Sequence, residues 1–512
     1  MSWCKCNKPP GTDCASFSTS LFFALGGELR LTNVYFRRMK HLLLILFLFQ
    51  FDSIHAKIWQ VGPTRAYLVP SAVSSLVADG DTVEIDAGLY TGNVTKWVAN
   101  NLVIKSVGDG YAHLEAAGNY AEGKAIWVIK GANCTVEGIE FSGCEVPDHN
   151  GAGIRQEGQH LTLRKCYFHD NENGILTSND GVSNFWFESC EFAHNGYGDG
   201  QSHNIYVGNV RSLTMLYCYS HDAHVGHLVK SRARYNTLSY NRLTGENGDG
   251  SYEVDLPNGG QAILLGNIIE QSSNSQNGGI ISFGLENQNH PEQQIILSHN
   301  TIVNDRFNGN FLQISNATTL VKLVNNLFLG TGTLLQGTAA SIDSSHNIRL
   351  TDIAEAMLSN PSIYEYRLLP NSPCIDAGTI PGDFNNISLT ALYAYLHPME
   401  RTARWYSGSA PDVGAYEHLM SPYRSVEDEA PDAGFSVFPN PVAGGQLLTI
   451  QTNQAIQCKS TAFLFDGMGS IVRKADFQSG LKSFEIPLEG LPAGIYFLKI
   501  QGYEKAKAVS IF

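Results

Sequence analysis

The chain carries little charge. Only 16% of its 512 residues are Asp, Glu, Lys or Arg, and 34 basic residues stand against 48 acidic ones, for a formal charge of -14. With no basic excess there is no electrostatic footprint for nucleic acid or an anionic membrane surface, and neither is expected as a partner. Cysteine is sparse and irregular. The ten, Cys4, Cys6, Cys14, Cys134, Cys144, Cys166, Cys190, Cys218, Cys374 and Cys458, form no CxxC pair, which removes zinc-ribbon and thioredoxin-type chemistry. Long apolar runs are missing as well. The longest, LLLILFLFQF from Leu42, is about half the ~20 residues that a membrane helix needs, so no transmembrane segment is expected in the mature protein.

What the sequence does have is glycine, 50 residues of it, with 43% apolar and 10% aromatic content. That composition supplies a large core and many tight turns, which favours an all-β protein over a helical bundle. The apolar run follows the basic Met39-Lys40-His41 and ends in DSIHA at Ala56, the pattern of a secretory signal peptide over 39–56. Residues 1–38 then read as a misplaced leader, whose three cysteines carry no function.

From residue 57 to 350 a pattern recurs: a short strand, a turn, a second strand, one special residue, a third strand and a variable loop. The special residue is followed through IEF at Ile139, CYF at Cys166, CEF at Cys190, CYS at Cys218, NRL at Asn241, NII at Asn267, NTI at Asn300, NLF at Asn326 and NIR at Asn347. The intervals are 27, 24, 28, 23, 26, 33, 26 and 21 residues, as one turn of a three-strand solenoid requires at ~3.3 Å per strand residue. An Asn at such a corner can satisfy backbone groups and the Asn of the next rung, forming a ladder, and Cys166, Cys190 and Cys218 fill the same inward corner as small buried residues. Rung spacing also lies within the reach of a disulfide.

PSAVSSLVADGDTVEIDAGLYTG (70–92) places an amphipathic segment, Ser71 to Ala78, before an alternating strand that begins at Thr82. This stretch resembles the N-terminal cap and first rung of secreted pectate-lyase-like β-helices, which implies a right-handed parallel β-helix solenoid. NSPCIDAG (371–378) and PDVGAYEH (411–418) resemble the closing segment of such proteins, assigned here to 351–424, with no chemistry attached.

After an acidic linker at 425–434 the composition resets. Residues 435–512 show short alternating strands at β-sandwich spacing. Their Pro439-Asn440-Pro441 and Phe465-Asp466-Gly467 turns, the Leu491 to Tyr496 segment and the basic end resemble the C-terminal sorting domain of the type IX secretion system of Bacteroidota. The resemblance implies contact with that secretion machinery and an extracellular or cell-surface location.

The densest polar constellation falls on successive rungs: SHNIYVGN (202–209), HDAHVGHLVKSRARYN (221–236) and SYEVDLPNGG (251–260). Stacking would bring His203, Asn204 and Tyr206 beside His227 and Lys230, with Arg232 and Arg234 at the strand exit. If Val229 points inward, Lys230 points out. Such a set suits β-elimination or epimerisation of a uronic acid, in which a base removes the C5 proton while a cation neutralises the adjacent carboxylate. Lys230 is the candidate base if Arg232 and Arg234 lower its pKa, and Tyr206 or His227 can return a proton to the glycosidic oxygen. His203, Asn204 and Asn258 are candidate substrate contacts. Glu253 and Asp255 offer oxygen ligands to Ca²⁺. For glycoside hydrolysis the carboxylates would be Glu253, Asp255, Asp222 and Asp249.

The run VKSRARYNTLSYNRLTGENGDGSYEVDLPNGG resembles about two rungs of the alginate lyase and chondroitinase B family, and Lys230 falls on that family's catalytic lysine. Val225-Gly226-His227 stands where the family has acidic residues, and Glu253 to Asp255 near its arginine. The sequence therefore leads to a monomeric enzyme on an extracellular uronate-containing polysaccharide, a lyase or epimerase. The competing reading is a non-enzymatic adhesin or glycan-binding solenoid. A recessed Lys230 flanked by Arg and His favours catalysis, whereas aromatic platforms without a base favour binding.

Overall fold

The computed structural model describes residues 56–404 and 408–418, and, beyond them, 435–438, 442, 446–452, 460–465, 471–492, 494–500 and 507–511. The leader, the signal peptide before Ala56, the linker and the Pro439-Asn440-Pro441 turn lie outside the described residues. Among those described, regular structure is almost all strand, with three short 3-10 turns and no helix long and apolar enough to cross a membrane.

Every strand from Ile58 to Leu350 is paired in parallel with a strand one turn away, and all but those at the two ends pair with both the turn before and the turn after. A ten-strand sheet forms one face of the solenoid, and a 21-strand sheet wraps the other two, joined where the long strands Thr82–Leu89 and Val103–Glu115 bend across the edge. Cysteine, phenylalanine and asparagine each form inward columns. Phe141, Phe168 and Phe192 stack at 4.9 Å between successive ring centroids and lie near-parallel, so each turn covers its neighbour's ring.

The corner ladder runs through Asn241, Asn267, Asn300, Asn326 and Asn347. Each Nδ2 donates to the next Oδ1 at 2.9–3.0 Å, and each Oδ1 also accepts the backbone N–H of the preceding member. Asn241 Nδ2 also donates to Met215 O of the turn before. In the earlier turns a thiol takes that last role: Cys166 Sγ reaches Val136 O at 3.4 Å and Cys218 Sγ reaches Phe187 O at 3.5 Å. The six described cysteines are free and buried, so no disulfide forms among the described residues. Burial pushes the Cys144 thiol up to about 12.

At the N-terminal end Asp81 ties the cap to the first rung, accepting from Lys57 N, Trp59 Nε1 and Ala78 N at 2.8–2.9 Å. Val73 is fully buried beneath it. The segment assigned to closing the solenoid lies along its flank instead of across its end. Leu358, Tyr366, Tyr395 and Val413 pack on outward-facing Tyr219, Ile268, Val303, Leu327 and Leu329, and Leu389 and Ala391 pack on Tyr240 and Ile296. Those solenoid faces are apolar on both sides and would be exposed without this cover.

Beyond residue 434, antiparallel strands form a three-strand sheet (Phe435–Phe438, Leu447–Thr452, Ser483–Pro487) and a four-strand sheet (Ser460–Phe465, Ile471–Phe477, Gly494–Ile500, Lys507–Ile511). Their inner faces share a core that includes Leu448, Ile450, Leu464, Ile486 and Leu498, making the small β-sandwich.

Candidate functional site on the ten-strand sheet

Parallel register aligns outward side chains into columns. On the ten-strand sheet one column reads Arg155, Leu176, Tyr206, Lys230, Asp255 and Ser282. Val229 and Val254 are fully buried in the core, and this parity turns Lys230 and Asp255 outward. Tyr206, Lys230 and Arg232 line a groove of about 430 Å³ with Arg155, Asn150 and His203.

Lys230 is recessed, and its Nζ lies 2.9 Å from Asp255 Oδ2 and 3.1 Å from Glu286 Oε1. Burial works against its charge, but the two carboxylates outweigh it and hold the amine above the ordinary lysine value. This corrects the sequence expectation of a Lys230 whose pKa is lowered by neighbouring cations so that it can serve as the base. Arg232 does not press on Lys230 unopposed, because both grip the same Glu286 carboxylate, Arg232 Nη2 at 2.5 Å. Arg234 points elsewhere and forms a two-pronged pair with Glu292 at 2.8 and 2.5 Å.

Arg232 organises the groove floor. Its Nε donates to Tyr206 Oη at 2.9 Å and its Nη1 to Asn258 Oδ1 at 2.8 Å. Because the phenol oxygen accepts from the guanidinium, the Tyr206 hydrogen is left to point away from Arg232. Asn258 in turn donates to Asn289 Oδ1 at 3.1 Å, so it acts on Arg232 and the loop.

His203 and His227 stack with ring centroids 4.5 Å apart, and Tyr252 lies 5.3 Å from His227 with its ring tilted by 53°. His203 Nδ1 accepts the His227 backbone N–H at 3.0 Å, and His227 Nδ1 accepts that of Tyr252 at 3.2 Å. The neutral rings therefore carry their proton on Nε2. Burial, reinforced by His227 and nearby cations, keeps His203 well below the usual imidazole range, and burial lowers His227 to about 4 despite Asp255. Near neutral pH both rings are uncharged donors at Nε2, not bases.

Two other residues turn away from the groove. Asn204 belongs to a second inner ladder. It accepts from Asn195 Nδ2 at 2.9 Å, donates to His221 O at 2.8 Å and is fully buried, which removes it as a substrate contact. Glu253 lies at the same inner corner two turns later, accepting from Gln271 Nε2 at 3.3 Å. Two-residue alternation would put Glu253 and Asp255 on one side, but the chain turns the corner between them, so they share no cation site. Burial together with Glu270 raises the Glu253 carboxyl well above the usual range, which makes it a poor calcium ligand. Asp255 instead accepts from Ser282 Oγ at 2.8 Å and pairs with Lys230. The paired-carboxylate arrangement for hydrolysis loses Glu253 by the same turn, while Asp222 and Asp249 are engaged by His221 and His224.

Sequence reading missed the loop 284–292, which supplies Glu286, Asn289, His290 and Glu292 to the basic strand exit, His290 Nε2 lying 3.0 Å from Arg232 O. The available signal was the interval of 33 residues between Asn267 and Asn300, the longest in the repeat. Arg155 was missed too; it stands in the strand Ala152–Gln156, whose only marked feature is alternation.

Residues 87–251 match the family model of the right handed beta helix region, and residues 436–511 match that of the secretion system C-terminal sorting domain. No curated protein matches the chain. Among solved structures, pectin methylesterase from carrot is similar over 60% of this chain and 92% of its own length, at 12% identity and a TM-score of 0.29. The strand register and the family model, not that likeness, define the architecture: a right-handed parallel β-helix followed by a β-sandwich. With its type IX secretion sorting domain, the protein is a secreted or cell-surface one.

Proposed function

We propose that the protein acts on an extracellular polysaccharide containing uronic acid, as a lyase or, by the same proton abstraction, a C5-epimerase. One observation carries the reading: Lys230 and Arg232 converge on a single carboxylate, that of Glu286, beside the Tyr206 hydroxyl in an open groove. A substrate carboxylate in the place of Glu286 would be neutralised by the same two cations, which acidifies the adjacent C5 hydrogen.

Lys230 and Arg232 are thus charge-neutralising groups, and Tyr206 is the proton-transfer group. In its phenolate form Tyr206 takes the C5 proton; the electron pair forms the C4–C5 double bond, the C4–O bond breaks, and the same hydroxyl returns the proton to the leaving oxygen. His203 lines the groove and presents an Nε2–H donor, the Nε2–H of His227 faces Asp255 Oδ2 at 3.5 Å, and Asn258 positions Arg232. No step runs through calcium, since the proposed ligands Glu253 and Asp255 do not face one another.

The test incubates the purified secreted chain with a panel of polyuronates, with and without Ca²⁺, following the ultraviolet absorbance of unsaturated uronate, reducing ends and C5 inversion by NMR. New absorbance lost in Tyr206→Phe and Lys230→Ala supports the lyase, and inversion without cleavage supports the epimerase. Binding without any chemical change would move the reading to a glycan-binding solenoid.

A further inference from the structure

On the face formed by strands Val103–Glu115, Ile139–Ser142 and Tyr167–His169, three successive turns bring two imidazoles and a carboxylate together. His113 lies opposite Glu140, and Glu140 lies opposite Tyr167, two residues before His169. His113 Nδ1 is 3.5 Å and His169 Nε2 3.0 Å from the same Glu140 Oε1, and the three atoms lie within 4.8 Å of one another. Ligand atoms held about 2.0–2.2 Å from a tetrahedral ion are separated by a little over 3 Å, and the two contacts to Glu140 Oε1 already have that spacing.

The outer ring nitrogens are already held. His169 Nδ1 lies 2.6 Å from Asp170 Oδ2 and His113 Nε2 lies 2.7 Å from Ser142 Oγ. A carboxylate or hydroxyl behind each histidine fixes which nitrogen faces inward, as the outer partners of metal-bound histidines do. Tyr167 stacks on the His169 ring at 4.4 Å and further restrains it. All three side chains are partly exposed, so an ion has access from solvent.

The solenoid contains its own comparison. Two turns later Tyr219-Ser220-His221-Asp222 repeats the register of Tyr167-Phe168-His169-Asp170, and His221 lies between Asp222 at 2.7 Å and Glu191 at 3.3 Å, as His169 lies between Asp170 and Glu140. The position that His113 occupies in the first copy is Tyr167 in the second. A bridge of His between two acids is therefore the repeating structural feature; the second copy also has another imidazole nearby, His194, but its cluster with His221 and Asp222 leaves out Glu191, whereas in the first copy both imidazoles face one oxygen of the Glu140 carboxylate.

We propose that His113, Glu140 and His169 bind a divalent transition-metal ion of the zinc class, leaving a coordination position open to solvent or a small oxygen ligand. Two nitrogens and one carboxylate select such an ion over calcium or magnesium, which take all-oxygen sets. The site lies on a different face from the groove of Tyr206 and Lys230 and stands independently of the function proposed there.

The test uses the full secreted chain without a polyhistidine tag, stripped with chelator and titrated with Zn²⁺ by calorimetry and with Co²⁺ by visible absorption. One equivalent is expected, with d–d bands of a four- or five-coordinate ion. His169→Ala and His113→Ala should each weaken binding at least 100-fold, Asp170→Asn should weaken it about 10–100-fold, and His221→Ala should leave it unchanged. Circular dichroism and Glu140→Gln, which keeps side-chain volume, separate loss of the site from loss of fold. Absence of stoichiometric binding, binding indifferent to His113 and His169, or loss in His221→Ala would overturn the assignment.

Discussion

Lys230 Nζ lies 2.9 Å from Asp255 Oδ2, a contact made one turn apart on the solenoid by two side chains that are 10% and 4% exposed. Register alone brings them together, because Lys230 and Asp255 are directly paired positions of parallel strands. Removing one member leaves the other charge buried without its partner. Lys230→Ala should cost about 3–5 kcal/mol of stability, whereas Lys230→Met combined with Asp255→Leu should recover much of it. Urea unfolding of Lys230→Ala and of the double variant beside the parent checks both expectations.

Glu286 covers the same lysine from a loop and is itself about half exposed. If it occupies the place of a substrate carboxylate, Glu286→Gln frees Lys230 and Arg232 for a ligand. Affinity for a soluble polyuronate should rise about tenfold, roughly 1.4 kcal/mol, with little change for a neutral glycan. Calorimetry on the variant and the parent checks this, and equal affinities would remove Glu286 from the role.

The stacked histidines make stability depend on pH. An unfolded histidine takes up a proton below about 6.5, while folded His227 stays neutral down to about 4. The unfolded state therefore binds more protons in that window, and stability falls as pH drops from 6.5 toward 4. The contribution of His227 is fully present above pH 6.5, and its loss is on the order of 3 kcal/mol at most. Denaturant titrations at pH 7.5, 5.5 and 4.5 should show the fall, and His227→Gln should flatten it.

Within the corner ladder Asn267 donates to Asn300 and Leu238 O and accepts from the backbone and side chain of Asn241. Asn267→Ala strands buried groups on both neighbouring turns and should cost about 3 kcal/mol or more. Asn347, at the half-buried end of the ladder, should cost less when replaced by alanine. Thermal unfolding of the two variants ranks them.

The solenoid was legible because its physics repeats. Every turn must satisfy the same corner, so the column from Cys166 through Asn347 appears in the sequence at intervals that equal one circuit. The sandwich was legible from alternation and its characteristic turns. The groove was only partly so. Placing Val229 inside was enough to send Lys230 outward, and stacking was enough to bring Tyr206 and His227 near it. Asn204 and Glu253 were misplaced because strict alternation holds along a strand and fails where the chain turns a corner.

Local periodicity and turn chemistry, both properties of a few neighbouring residues, therefore determined the β-helix, its repeat length, the sandwich and the strand that carries Lys230. The tertiary structure alone decided the electrostatics. Whether Lys230 is a base or a fixed cation depends on Asp255, 25 residues away, and Glu286, 56 residues away, and whether His113 is a surface ring or a metal ligand depends on His169 two turns on. Charge interactions act through a few ångströms of space, and only the stacking of turns brings those residues within that range.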